Sequence, residues 1–417
     1  MTASEQYPPC GEPPADAHHE WLSQRIAHYL GRPVRGDAPL TDHGLDSVAA
    51  LSLYGDIEEE FGPLIEPGEI WTYPTVDSLA RCMADRAARR DRSTVRAAFV
   101  FTGQGSQHEG MTAGLYLHST GYRAHLDEAA EELRPYTKES VVDLILAGDP
   151  RIHLTGFTQP ALFAVEYAMA RTLQEAGVQP VAVLGHGIGE FAAATVAGAL
   201  TLPDAARLVA LRGAFMQYLP AGGGMTATCA APFEAADLIA DEPEVGIAAI
   251  NASRATVLSG PVDALTRVEA KLAEAGLASR RLTVTHAFHS PLMRPMQAKF
   301  ASVLRRLPGG APRLPFYSTV RGRLVNEPLY APYWTEQITA PVRFADAARA
   351  LLAQQRPTHV VEIGPRVVLT PFLKRMGGDA ELPCFPVCKG PRSDAVDLAG
   401  VISALDAGPL AALLAGA

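Results

Sequence analysis

The spacing of hydrophobic positions changes near residue 97. Before it, apolar residues recur at helical intervals. Glu20-Trp-Leu-Ser-Gln-Arg-Ile-Ala-His-Tyr-Leu30 predicts one amphipathic helix, and Val48 to Phe61 a second with Leu51, Tyr54, Ile57 and Phe61 on one side. Trp71-Thr-Tyr-Pro-Thr-Val-Asp-Ser-Leu-Ala80 predicts a turn with an Asp or Ser cap ahead of a last helix. Residues 17–86 are therefore expected to form a small all-α bundle, able to fold alone on a modest core. The Pro-rich stretch 1–16 predicts disorder, and the basic run 87–96 a solvated linker or frayed helix end.

From Ala97 onward, short apolar runs alternate with helical periods. Ala98–Thr102, Pro180–Gly185, Pro315–Thr319 and His359–Gly364 read as buried strands, with helical patterns such as Ala161–Ala176 between them. That alternation predicts an α/β sheet covered by helices. An insert at 223–284 reads as strand, helix, two strands, helix, strand, which is the ferredoxin-like order. Residues 391–417 read as a C-terminal tail.

Composition narrows the function classes. A net charge of −9 argues against a general nucleic-acid binder, which needs a basic face. The apolar runs break well short of a membrane span, and no signal peptide is visible at the start. Five scattered cysteines, at 10, 82, 229, 384 and 388, predict reduced thiols and a cytoplasmic home. Cys384 and Cys388 lack the further ligands of a metal site, so no metal is expected.

The candidate chemistry centres on Val181-Ala-Val-Leu-Gly-His-Gly-Ile-Gly-Glu190, a strand run into a glycine-dense turn. A dinucleotide fingerprint needs its third glycine where Glu190 stands, and no Gly-Lys-Ser/Thr closes a phosphate loop. The strand–turn–helix layout matches the nucleophile elbow Gly-x-Ser-x-Gly instead, but with Gly187 in the serine's place. Taken alone, the stretch could equally be a glycine-rich turn packing a helix on a sheet.

The remainder of the chain decides between them. It carries Gly103-Gln-Gly-Ser-Gln107, Thr158-Gln-Pro-Ala-Leu162, Gly185-His-Gly-Ile-Gly-Glu190, Leu211-Arg-Gly-Ala-Phe-Met216, Asn251, His286-Ala-Phe-His-Ser-Pro-Leu-Met293 and Gln337-Ile-Thr-Ala-Pro-Val-Arg343. In this order the set resembles malonyl-CoA:acyl-carrier-protein transacylases and the acyltransferase domains of modular polyketide synthases. Gly44-Leu-Asp-Ser-Val48, with Tyr73-Pro-Thr-Val-Asp-Ser-Leu79 downstream, resembles acyl carrier proteins. The resemblance implies a four-helix carrier bundle, then an α/β-hydrolase-like acyltransferase domain over 97–390, its large part (97–222 and 285–390) interrupted by the ferredoxin-like insert 223–284.

It also implies roles. His289 is the general base of a ping-pong acyl transfer, and Gln337 lies where the family orients that histidine. The backbone N–H groups of Gln104 and Ile188 form the oxyanion hole. Arg212 holds the free carboxylate of a malonyl group, His186 and Asn251 border the substrate, and Phe288 in the His-Ala-Phe-His version narrows the pocket toward malonyl. Ser47 carries 4'-phosphopantetheine, beside an acidic partner-facing surface of Asp56, Glu58, Glu59 and Glu60. The implied partners are malonyl-CoA or a related acyl-CoA, a carrier protein (its own or another) and polyketide synthase modules, without nucleic acid or membrane. Gly187 removes the nucleophile, so this form is expected to be dead as a transferase. Its intact surroundings favour an engineered Ser→Gly exchange over a natural pseudo-acyltransferase that binds without transferring. Carrier-to-carrier transfer and editing hydrolysis are further alternatives, and Arg212 speaks against both.

Overall fold

The computed structural model describes residues 15–61, 64–66, 68–92, 95–305, 307–377, 382–393 and 395–405. They fall into two compact units, divided between Thr94 and Val95. The disorder expected for the first residues concerns 1–14, outside the described set, as does Cys10; helix starts at Ala15.

The first unit contains α1 (Ala15–Leu30), α2 (Ser47–Phe61), the single turn α3 (Glu69–Thr72) and α4 (Val76–Arg92). Leu22, Ile26, Leu53, Ile57, Ile70, Leu79 and Met83 form its core. The face of α2 differs from expectation: Ala50, Leu53 and Ile57 point inward, whereas Leu51 is 63% exposed and Val48 74%. Helix α4 begins on Thr75 rather than on Asp77 or Ser78. The Thr75 hydroxyl accepts from the Ser78 N–H and the Ser78 hydroxyl from the Thr75 N–H, each at 3.1 Å, a reciprocal cap. Half of the supposed linker is helix, since α4 runs to Arg92. Arg86 is held by Glu69 (2.6 Å) and the Leu64 carbonyl (3.1 Å).

Among the described residues, the second unit is built on ten strands: β1 (Ala97–Phe101), β2 (Pro180–Gly185), β3 (Gly223–Thr228), β4 (Gly246–Ala252), β5 (Ala255–Pro261), β6 (Ser279–Arg281), β7 (Phe316–Ser318), β8 (Arg323–Val325), β9 (His359–Ile363) and β10 (Cys384–Pro386). The main sheet has the order β10-β9-β1-β2-β7-β8, parallel except for the β7–β8 pair. Every residue of β1 is buried, as a central parallel strand covered on both faces requires. β1 pairs with β2 from Ala97↔Pro180 to Phe101↔Gly185 and with β9 from Ala97↔His359 to Phe101↔Ile363. The three strands therefore end level, and the loops after Phe101, Gly185 and Ile363 share one edge, where open α/β sheets place their chemistry.

The insert forms a separate antiparallel sheet, β4-β5-β3-β6, under the helices Pro232–Leu238 and Val262–Glu274. Its core of Ala230, Leu258, Leu265, Val268 and Leu272 is its own. Two main-chain bonds fasten it to the larger part: the Ile250 N–H donates to the Val342 carbonyl (2.9 Å) and the Val342 N–H to the Ala248 carbonyl (2.8 Å). The C-terminal segment is not a tail up to residue 405. Ala395–Ala404 is a helix that buries Leu398, Val401 and Ile402 in the main core, with Leu405 after it; 406–417 lie outside the described residues.

Candidate active site

β2 delivers its last residue, Gly185, into the turn His186-Gly187-Ile188, and the helix Gly189–Val196 leaves immediately. The turn closes through the Gly189 N–H on the His186 carbonyl (3.0 Å) and the Glu190 N–H on the Gly187 carbonyl (3.2 Å). A Cβ at residue 189 would overlap the Thr102 carbonyl, so that position admits only glycine while helix and β1 loop stay this close. Gly187 has φ +58°, the left-handed region in which an elbow nucleophile sits under strain. A Cβ there would meet one atom within 4 Å, His289 Nε2, at 3.5 Å.

His289 has its own left-handed backbone, φ +56°. Its Nδ1 lies 2.9 Å from the Ala340 carbonyl, which can only accept, so Nδ1 carries the proton and Nε2 presents a lone pair toward residue 187. Burial, then the nearby Arg212 charge, press its pKa down to about 3. The ring is therefore neutral and basic in form at pH 7. Gln337 does not orient it through its side chain. That amide donates to the Gly187 carbonyl (2.7 Å) and accepts from Arg212 (3.0 Å). Main-chain groups hold the ring, Ala340 first and Gln337 second. Gln337 is buried and belongs to the wall behind the turn.

Arg212, on the helix Leu202–Gln217, is 2% exposed. Its guanidinium bonds Gln337 and lies 5.9 Å from the Phe191 ring centre; among the described residues no carboxylate pairs with it, and its Nε has no hydrogen-bond partner. Burial lowers its pKa to about 10, opposed by the charge of Glu190. In the sequence Glu190 serves only to exclude a dinucleotide fingerprint and is given no role at the site. It is fully buried, accepts from the Thr319 N–H (2.6 Å), the Thr319 hydroxyl (2.9 Å) and the Tyr333 hydroxyl (3.2 Å), and burial raises its pKa to about 7. A carboxylate in the first turn of the elbow helix was the available signal.

The opposite wall is the turn after β1. Gln104 turns its side chain away, bonding the Thr155 hydroxyl (3.2 Å) and accepting from Gln159 (3.1 Å). Beneath it runs a second network missed by sequence reading. The buried Glu166 accepts from the Thr102 hydroxyl (2.7 Å), Thr102 contacts the Ser106 hydroxyl (3.0 Å), and Ser106 donates to the Gly103 carbonyl (2.8 Å). Burial raises the Glu166 pKa well above the usual carboxyl range, with the Thr102 bond acting in the opposite direction. His186 Nε2 lies 2.9 Å from Asn251 Oδ1, linking the elbow to β4 of the insert. A cavity of about 820 Å³ opens here, bordered by Gln104, His186, Gly187, Ile188, Arg212, Asn251, Phe288 and His289.

Ser47 lies in the first unit, exposed at the first residue of α2. It is not the helix cap. Asp46 is, its carboxylate accepting from the N–H groups of Val48 (3.0 Å) and Ala49 (2.8 Å). Asp56 does not join the exposed acids: Arg25 (2.7 Å) and the Tyr29 hydroxyl bind it, the Arg25 bond chiefly lowering its pKa, while Glu58, Glu59 and Glu60 are exposed. Among the described residues no group of three or more His, Cys, Asp or Glu is placed to hold a metal, and no helix is long and apolar enough to cross a membrane.

Comparison with known proteins places both units in families. The family described as "Acyl transferase domain" matches residues 98–383, and "Phosphopantetheine attachment site" matches residues 20–83. Polyketide synthase GfsB of Streptomyces halstedii is 44% identical over 279 residues, which is 66% of this chain but 5% of that much longer protein. Among solved structures, the acyltransferase domain from the second module of the salinomycin polyketide synthase is 33% identical at a TM-score of 0.70, with 95% of this chain and 92% of that one covered. A malonyl-CoA:acyl carrier protein transacylase from Xanthomonas oryzae pv. oryzae is 33% identical at a TM-score of 0.66, covering 75% of this chain and 98% of its own.

Proposed function

The chain belongs to the acyl transferase domain family and carries a phosphopantetheine-attachment domain ahead of it, and from that premise we propose a polyketide carrier–acyltransferase pair that moves a malonyl-type group from coenzyme A to a carrier thiol. The observation that carries the reading is one of convergence. His289 Nε2 stands 3.5 Å from where a residue-187 side chain begins, and an unpaired buried guanidinium borders the same cavity. In the serine form, His289 takes the hydroxyl proton, the serine oxygen attacks the thioester, and the departing thiol receives the proton back. The N–H groups of Gln104 and Ile188 face the developing oxyanion, Arg212 binds the distal carboxylate, and Phe288 limits bulk at the α-carbon. His186 and Asn251, tied to each other, fix the insert against the elbow.

Ser47 suits 4'-phosphopantetheine because its hydroxyl is exposed and released from capping by Asp46; when attached, that arm supplies the thiol that accepts the acyl group. The finer fold readings accompany this one: a four-helix carrier bundle, a hydrolase-like large part and a ferredoxin-like insert, working in the cytoplasm beside polyketide synthase modules. As written, Gly187 supplies no nucleophile and no acyl-enzyme forms; an exchange of one serine in an otherwise complete site accounts for that. Gly187→Ser with labelled malonyl-CoA tests the reading. Stable label on the protein, transferable to a pantetheinylated carrier, is the expected result, and a Gly187→Ser protein that takes no label would refute it.

A further inference from the structure

We propose that the Gly187 chain hydrolyses malonyl-type thioesters by activating water directly on His289, an inference that rests on the substrate reading above. A Cβ at residue 187 would meet only His289 Nε2, at 3.5 Å, an ordinary van der Waals contact, so there is room for one carbon-sized group between the glycine and an imidazole lone pair. One water molecule occupies about 30 Å³ in the liquid, close to what the absent side chain would fill. The Ala340 carbonyl fixes the ring in the tautomer that accepts a proton at Nε2.

The other requirements of thioester cleavage do not involve residue 187's side chain. Gln104 and Ile188 border the cavity, and so does Arg212, whose guanidinium has no carboxylate partner among the described residues and an Nε with no hydrogen-bond partner. The step balances without any further reagent. The water oxygen bonds to the thioester carbonyl carbon as its proton passes to Nε2. The tetrahedral oxyanion then collapses, the C–S bond breaks, and the leaving sulfur takes the proton from Nε2. The products are a dicarboxylic acid and a free thiol, and His289 ends neutral.

Water is favoured over a carrier thiol for a steric reason. The donor's pantetheine arm and an acceptor's arm would both have to reach residue 187 through the cavity that borders it. In a covalent mechanism they do so in turn. Without an acyl-enzyme they would have to be present together, whereas water fits beside a bound donor.

The test uses the full chain as it stands, with malonyl-CoA in ¹⁸O-enriched water. Thiol release, isotope content of the malonate and intact protein mass are followed together. An oxyanion hole and binding contacts alone retain about 10³-fold acceleration over water in a comparable hydrolase, and a positioned general base adds about 10²-fold, so release about 10⁵-fold above the buffer rate is expected, with one ¹⁸O per malonate and no acyl adduct. His289→Gln should lower the rate by about 10²-fold or more, the range of a lost general base. Gly187→Ala, whose methyl fills the space beside Nε2, should lower it as well; a melting curve checks that it is folded, and His289→Gln decides the matter if it is not. Equal rates for the unmodified chain and His289→Gln would overturn the proposal. So would an absence of hydrolysis while Gly187→Ser takes label, an outcome that leaves the acyltransferase reading standing. If Gly187→Ser takes no label either, that reading falls and this inference falls with it.

Discussion

Arg212 offers the sharpest measurement of what the cavity selects. In a Gly187→Ser background, Arg212→Ala would leave the malonyl carboxylate buried without its counter-charge. Breaking a buried ion pair from one side costs about 3–5 kcal/mol. At about 1.4 kcal/mol per decade, this is a loss of about 10²- to 5 × 10³-fold in kcat/KM for malonyl-CoA. A second contribution is structural, because the guanidinium also donates to Gln337 at 3.0 Å, and Gln337 holds the Gly187 carbonyl at 2.7 Å. Losing one such hydrogen bond costs about 1 kcal/mol, about fivefold, and falls on every substrate alike. Acetyl-CoA has no distal carboxylate and should feel only this smaller effect. Stopped-flow or continuous thiol-release assays with both substrates give the two ratios. Equal losses for malonyl- and acetyl-CoA would show that Arg212 serves the turn and not the carboxylate.

His289, whose pKa is pressed to about 3 against an ordinary 6.5, is neutral in the fold but gains a proton when unfolded in mild acid. The stability it contributes is therefore complete above pH 6.5 and lost as pH falls toward 3. Glu190, raised to about 7 from 4.5, works oppositely, its contribution being complete below 4.5 and lost as pH rises through 7. Thermal melts should thus show His289→Gln losing less stability than the unmodified chain between pH 7 and pH 5, and Glu190→Gln losing less between pH 5 and pH 8; parallel curves would refute the assignments. Asp46→Ala should cost the carrier unit about 1 kcal/mol of stability by removing the α2 cap, while Ser47→Ala should leave its melting point alone yet abolish phosphopantetheinylation by mass. Ile402→Ala, in the last described helix, should destabilise the second unit by about 2–5 kcal/mol, measurable by denaturant titration, whereas a true tail would show nothing.

The main strands were legible because central parallel strands, buried on both faces, appear as unbroken apolar runs; Ala97–Phe101 and Pro180–Gly185 are examples. Amphipathic detail was harder. In α2 the inward face includes Ala50, too small to mark itself, and the larger Leu51 drew the reading onto the wrong side. The helix Ala395–Ala404 has few polar residues to define a period, so its sequence pattern is indistinguishable from that of a tail. At the site, identities such as His289, Arg212 and Asn251 could be placed by motif, but connections could not. Whether Gln337 reaches the histidine or the elbow carbonyl depends on how residues 150 positions apart meet, which no local spacing encodes. The burial of Glu166 and Glu190 was not legible because buried carboxyls are too uncommon for a sequence pattern to anticipate.

The division of labour at the start of α2 has a consequence for regulation. Because Asp46 satisfies the first N–H groups, esterifying Ser47 removes no bond that the helix depends on. The phosphodiester it introduces would stand at the positive end of a 15-residue helix, where negative charge is welcome by about 0.3–1 kcal/mol. A unit armed at Ser47 would thus be folded at least as well as the bare one. Partners would then have to tell those states apart by touching the arm, because the helix would carry little message about what hangs from it.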